Sequence, residues 1–216
     1  MLNKKRQKSY SKKITNNTHI IKILLFLITI SLSVNVTSQS LYTSVGKLIF
    51  DSKIILTIKG KNKQQILYNN FNPKPSEILI NNEIINTIDY YVNLEFDDNN
   101  ITIKFNETIT SCKKMFYNLP NIIKIVFIKF DSSKVTDMGS MFYFCTNLKS
   151  LDLNSINTSL VTNMEEMLRS CINLISLNLK DFNTSSVTNM QYMFSGCISL
   201  NSIDLSNFII SSVTNM

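Results

Sequence analysis

With 216 residues and 44% hydrophobic content, the chain has the length and composition of one or two domains that bury a core. The formal net charge of +7 points to nucleic acid only until it is located. Seven of the 22 basic residues (Lys4, Lys5, Arg6, Lys8, Lys12, Lys13 and Lys22) lie in the first 22 positions, which hold no acid, and the others balance the 15 acidic residues. No basic stripe is left to track a phosphate backbone, so nucleic acid is excluded as a partner.

Directly after the basic stretch comes an apolar run, Ile23 to Val34, with the length of a signal-peptide core and short for a membrane span. Val36 and Ser38 place small residues at the minus-three and minus-one positions of a cut after Ser38. The rival is an uncleaved anchor from His19 to Val36 with its basic side cytoplasmic. Either way the rest of the chain is expected outside the cell, secreted or at the cell surface, touching membrane only through an uncleaved leader. No cysteine lies near the segment, so no lipid anchor on cysteine is expected. Asparagine is abundant at 28 residues, which the codons of an AT-rich genome explain. Four Asn-x-Ser/Thr sequons fall in the exported part, at Asn100, Asn106, Asn157 and Asn183; they are candidate glycosylation sites and are expected on the surface.

Residues 39–108 have a period of two. Ile54, Leu56 and Ile58 alternate with Ile55, Thr57 and Lys59, and further runs lie at Ile78 to Ile80, Val92 to Phe96 and Ile101 to Phe105. Asp97 to Asn100 is expected to close a hairpin between the last two runs, and Asn72 to Pro75 an irregular turn. This β-rich segment is expected to cap the start of the C-terminal half.

From residue 109 to 216 the chain repeats every 26 residues. The anchors are Ile109 to Cys112 (ITSC), Val135 to Met138 (VTDM), Val161 to Met164 (VTNM) and Val187 to Met190 (VTNM), with a fifth copy opening at Val213. Such a period marks units that bury their apolar faces against their neighbours. Met164, Met167, Leu168 and Cys171 stand at i, i+3, i+4 and i+7, which predicts a short helix, with Thr162 as N-cap and Glu165 completing a capping box. Thr188 with Gln191 repeats the box, whereas Thr136 is followed by Gly139. Leu174, Leu177 and Leu179 then predict a short strand, and Phe182 closes the apolar set. Columns recur as Leu148, Leu174 and Leu200, as Leu151, Leu177 and Ile203, as Leu153, Leu179 and Leu205, and as Ile156, Phe182 and Phe208. In the first copy Leu119 replaces cysteine, Ile122, Ile125, Phe127 and Phe130 fill the apolar columns, and Val126 stands where other copies have Asp or Asn.

This pattern, MFxxCxxLxxLxLxxF with a Ser/Thr turn and VTNM after it, resembles the BspA-like leucine-rich-repeat surface proteins, including the mycoplasma-type lipoprotein repeat. The likeness covers Ile109 to Met216. It implies an exported or cell-surface repeat protein, in some members linked to adhesion and host-protein binding. Two departures are the missing lipid-anchor cysteine and an end inside a repeat, from which a longer array is expected. The fold expected is α/β, a leucine-rich-repeat-like solenoid with a short strand and a short helix per 26-residue coil and a β-rich N-terminal cap. The chain then divides into three segments: 1–38 as leader and signal peptide or anchor, 39–108 as cap, and 109–216 as four repeats and the start of a fifth.

His19 is the only histidine, and a cleaved leader removes it, which leaves no Ser-His-Asp or Cys-His machinery and no histidine-ligated metal. Asp97 with Asp98, and Glu165 with Glu166, read as solvated pairs, and four glycines supply no phosphate loop. No catalytic residue, cofactor or metal is expected. Cys145, Cys171 and Cys197 recur at the repeat period, about 5 Å apart if the units stack. They read as a buried, reduced ladder in a slot that also accepts Leu119; a disulfide between neighbours and thiolate metal binding stay open. The threonine column Thr110, Thr136, Thr162, Thr188 and Thr214 reads as helix caps, with a flat ice-binding array as its rival.

The expected functional surface is the solvent side of the strand column: Ser150, Ser176 and Ser202, beside Asp152, Asn178 and Asp204, then Asn154, Lys180 and Ser206. Repeat proteins bind partners on such ladders, although outward strand positions are polar in any case. Small side chains suit hydrogen bonding to proteins or glycans at the cell surface more than a hot spot of Trp, Tyr and Arg. The chain is therefore read as a binding or adhesion module. A surface-coat spacer with no ligand is the alternative, and a glycan-processing enzyme the third reading.

Overall fold

The computed structural model describes residues 52–85 and 88–216. The basic leader, its apolar run, His19 and the cut after Ser38 lie outside the described residues. Nine strands are formed, β1 (Ser52–Lys59), β2 (Asn62–Gln65), β3 (Glu77–Ile80), β4 (Glu83–Ile84), β5 (Tyr91–Leu94), β6 (Asp98–Phe105), β7 (Ile122–Ile128), β8 (Ser150–Asp152) and β9 (Ser176–Asn178). Seven of them make one mixed sheet in the order β4-β3-β6-β1-β7-β8-β9, and β2 pairs with β5 apart from it.

Alternation explains the first half. Ile54, Leu56 and Ile58 point to one side of β1 and are fully buried, while Ile55 and Thr57 on the other side are half-buried. Antiparallel pairing sets Ile54 opposite Ile103 of β6 and Phe127 of β7, and Leu56 opposite Ile101 and Ile125. The expected hairpin between the runs at 92–96 and 101–105 is not formed. β5 pairs with β2, and β6 runs between β1 and β3, because its inward Ile101, Ile103 and Phe105 extend the core row of β1.

The α/β leucine-rich-repeat-like solenoid is overturned. Among the described residues there is no helix, and four of the six strands before the repeats share one mixed sheet with those inside them. The predicted helical face is buried as expected, with Met164, Met167, Leu168 and Cys171 all at 0% exposure. Its backbone, however, is a run of tight turns. The N–H groups of Met164, Glu166, Leu168 and Ser170 donate to the carbonyls of Asn189, Gln191, Met193 and Ser195, at 2.7–3.0 Å. The alternating N–H groups of Met167, Arg169 and Cys171 donate three residues back, to Met164, Glu166 and Leu168. Every second donor thus leaves its own unit for the next one, whereas an α-helix keeps all of them within itself.

Such a path needs left-handed residues at fixed places. They recur as Lys114, Ser140, Glu166 and Tyr192, and as Asn118, Phe144, Ser170 and Gly196, with φ from 53° to 77°. A left-handed φ costs about 1–2 kcal/mol for a residue with a Cβ. The first three units accept that cost twice and the fourth, with Gly196, once, and each gains the ladder to its neighbour.

The threonine caps are overturned with the helix. The Oγ1 atoms of Thr162, Thr188 and Thr214 donate to the carbonyls of Thr136, Thr162 and Thr188, one unit back. The turn-closing acceptor is the next residue instead: Asn163 Oδ1 accepts from Glu165 N at 3.1 Å, and Asn189 Oδ1 from Gln191 N at 3.0 Å. Ser111, Asp137, Asn163, Asn189 and Asn215 form successive parallel bridges, and Asn163 Nδ2 donates to Asp137 Oδ1 at 2.9 Å.

A second hydroxyl column is buried: Ser132, Thr158 and Thr184, at 2%, 1% and 0% exposure. Thr158 Oγ1 accepts from Asn183 N at 2.8 Å and donates to Asn183 O at 2.9 Å. Thr184 does the same with Ile209, and Ser132 Oγ accepts from Asn157 N. One hydroxyl thereby satisfies both backbone groups of a residue one unit on, as a buried polar group requires.

Candidate binding face on the outward strands

Parallel pairing of β7, β8 and β9 places Lys124 beside Ser150, Ser150 beside Ser176, and Asp152 beside Asn178. The three strands are one 26-residue step apart, so residues of equal rank share a face. Leu151 turns inward at 3% exposure, and Ser150 and Asp152 turn outward. The row of serines continues at Ser202 and the row of acids and amides at Asp204, both exposed and past the last strand.

A hollow of about 600 Å³ lies over this register, bordered by Lys124, Val126, Ser150, Asp152, Asn154 and Asn178. A second of about 610 Å³ adjoins it, bordered by Lys59, Asp98, Lys124, Asn147, Lys149 and Ser150. Lys124 and Ser150 belong to both.

The nine ladder residues divide by what they already hold. Asp152 Oδ1 accepts from Asn154 N at 3.0 Å, Asn178 Oδ1 from Lys180 N at 3.4 Å and Asp204 Oδ1 from Ser206 N at 2.9 Å, so this row closes the turn after each strand. The Ser206 amide holds the Asp204 carboxyl below its ordinary range. Asn154 Oδ1 accepts from Asp181 N and ties two units together. The hydroxyls of Ser150, Ser176 and Ser202 and the Lys180 ammonium hold no hydrogen-bond partner among the described residues. They are the exposed groups left open to a ligand.

Lys124 also belongs to the ladder, a place that sequence reasoning missed although counting 26 back from Ser150 reaches it. The sequons at Asn100, Asn106, Asn157 and Asn183 are exposed. Asn157 and Asn183 also form turns, their Oδ1 atoms accepting from the amides and hydroxyls of Ser159 and Ser185, as Asp131 does from Ser133.

The turn side carries a stacked column. The Tyr117 and Tyr143 rings lie 4.8 Å apart and 9° from parallel, and the Arg169 guanidinium sits over Tyr143 and, at 5.0 Å, over Tyr192. Glu166 pairs with Arg169. Ring faces and cations here are spent on one another.

The four cysteines carry free thiols. The Sγ atoms of Cys145, Cys171 and Cys197 donate to the carbonyls of Phe116, Phe142 and Leu168 at 3.1–3.2 Å. Burial pushes the Cys145 thiol up from 9.0 to about 12, and burial, aided by Asp137, does the same to Cys112. Among the described residues no group of three or more His, Cys, Asp or Glu could hold a metal ion.

No curated protein and no solved structure matches the chain. The family described as Mycoplasma protein of unknown function, DUF285, matches residues 89–175 and again 144–216, two overlapping segments that enter at β5 and take in every 26-residue unit. Covering more than half the sequence, these matches make the chain a member of that family.

Proposed function

We propose that the protein is an exported cell-surface binding or adhesion module whose ligand, a protein or a glycan, lies along the outward face of β7, β8 and β9. The supporting observation is the in-register row of serine hydroxyls with no partner among the described residues, beside a hollow of about 600 Å³. Kinship with the BspA-like surface proteins, carried by the column pattern of the repeats, belongs to the same proposal. Tandem units displayed on a surface would add avidity to weak single contacts.

The competing reading, a surface-coat spacer without a ligand, draws on the turn-closing role of Asp152, Asn178 and Asp204, which gives those residues a reason to be polar without any partner. The serines separate the two readings because they close no turn. The exported chain is expected to enrich particular proteins or glycans on a host-surface array, and the triple variant Ser150→Gln, Ser176→Gln, Ser202→Gln is expected to lose them with its circular dichroism spectrum unchanged. An array with no enriched ligand supports the spacer, and undiminished binding by the triple variant rejects this face.

A further inference from the structure

Resting on that binding-face reading, we infer that the ligand is an acidic saccharide, carrying carboxylate or sulfate groups, and that its anionic end is held by Lys59, Lys124 and Lys149.

Three separate segments supply these lysines. Lys59 ends β1, Lys124 lies within β7 and Lys149 immediately precedes β8. They border one hollow of about 610 Å³ and are all exposed. None of them is within ion-pair distance of a carboxylate among the described residues, although Lys61, Lys104, Lys113 and Arg169 each have an acid partner. The single carboxylate in the wall is Asp98, opposite Lys59 in the β1–β6 register, so the hollow keeps a net positive charge. Within about 8 Å at physiological salt such charges act together on a ligand anion.

Lys124 and Ser150 join this hollow to the serine row, so a ligand anchored among the lysines runs on over Ser150 and Ser176. The Asp152 carboxylate, in the hollow of about 600 Å³ over the serine row, is turned to the Asn154 amide, which suits the uncharged part of a chain there. Strand spacing repeats a hydroxyl about every 4.8 Å, close to the length of one sugar ring. No aromatic or arginine side chain is exposed in either hollow, and those are the anchors of a peptide or protein hot spot. These observations favour a polyhydroxylated chain over an acidic peptide.

The test uses the full chain and titrates it with a sulfated oligosaccharide of heparin type, a polyuronate oligosaccharide, a neutral dextran and poly-glutamate, at low and high salt. One or both acidic saccharides should bind and the dextran should not, which also tells sulfate from carboxylate recognition. Affinity should fall with salt, and by about tenfold in Lys124→Gln with Lys149→Gln. The charge-matched control Lys74→Gln with Lys134→Gln, outside both hollows, should bind as the parent does. Equal loss in the control, no preference of the parent for acid over neutral saccharide, or binding of poly-glutamate alone would each overturn the inference. A ligand lost in the serine triple variant but kept in the lysine variant would overturn it too, and leave the binding face standing.

Discussion

The strands from 52 to 105 and the units from 109 to 216 share one core but satisfy their backbones differently. In the first region a residue's partner lies across an antiparallel register, and alternation of side chains reports both burial and pairing. In the second, every other N–H of the turn run reaches 25 residues forward, while the threonine amides, such as that of Thr162, reach 26 back. Side-chain burial there has a period close to that of a helix although the backbone is not helical. Burial periodicity therefore says which side chains face inward and leaves open where the amides go.

The sharpest way to break the second region without touching the first is Thr158→Val. The substitution keeps the shape and removes the Thr158 hydroxyl from both the N–H and the carbonyl of Asn183 in a part-buried place, so a loss of about 2 kcal/mol is expected in urea unfolding. Thr162→Val, in the exposed column, should cost less than about 1 kcal/mol. Equal costs would mean that the two hydroxyl columns do not differ as described.

Alkaline pH probes the same units through their thiols. Burial raises the folded Cys112 and Cys145 to about 12 from an ordinary 9.0, and raises Cys171 further. Below pH 9 both states keep the protons and stability is unaffected. Between roughly pH 9 and 12 the unfolded chain releases protons that the folded chain retains, so stability falls as pH rises, by about 1.4 kcal/mol per pH unit for each such group. Cys145→Ala should lower that slope by one group's share relative to the parent, because every other side chain is common to the two proteins. Parallel slopes would show Cys145 to be accessible.

The smallest effect has the most informative sign. Ser170 has φ 61° and stands in the column that Gly196 occupies one unit later. Ser170→Gly should stabilise by about 0.5–1 kcal/mol by relieving the left-handed strain. In a helix the same change would destabilise by about as much. A lower melting temperature would argue for the helix and against the turn run.

Much of the core was legible. The alternation at Ile54, Leu56 and Ile58, the run Ile101 to Phe105 and the apolar columns of the units all lie where periodicity puts them. The roles of the hydroxyls were not legible. Thr162 reads as a cap and Thr184 as part of a surface turn, yet Thr184 is the buried one, because the backbone it serves belongs to Ile209 and only stacking brings that residue near. Asp152, Asn178 and Asp204, ligand candidates in sequence, also close the turn after each strand through the amide two residues on. Lys124 was hidden because the first unit departs from the others in most columns, although its place in the row is set by the same count of 26.

The alternation of forward and backward amide bonds also governs how such a gene can change. One residue added inside a unit would put every later donor out of step with its acceptor and move the left-handed positions onto residues that must bury their side chains. Substitutions on the outward face disturb none of this. Length variation that keeps this register therefore comes in whole blocks of 26 codons, while the outward-facing positions can change within each block.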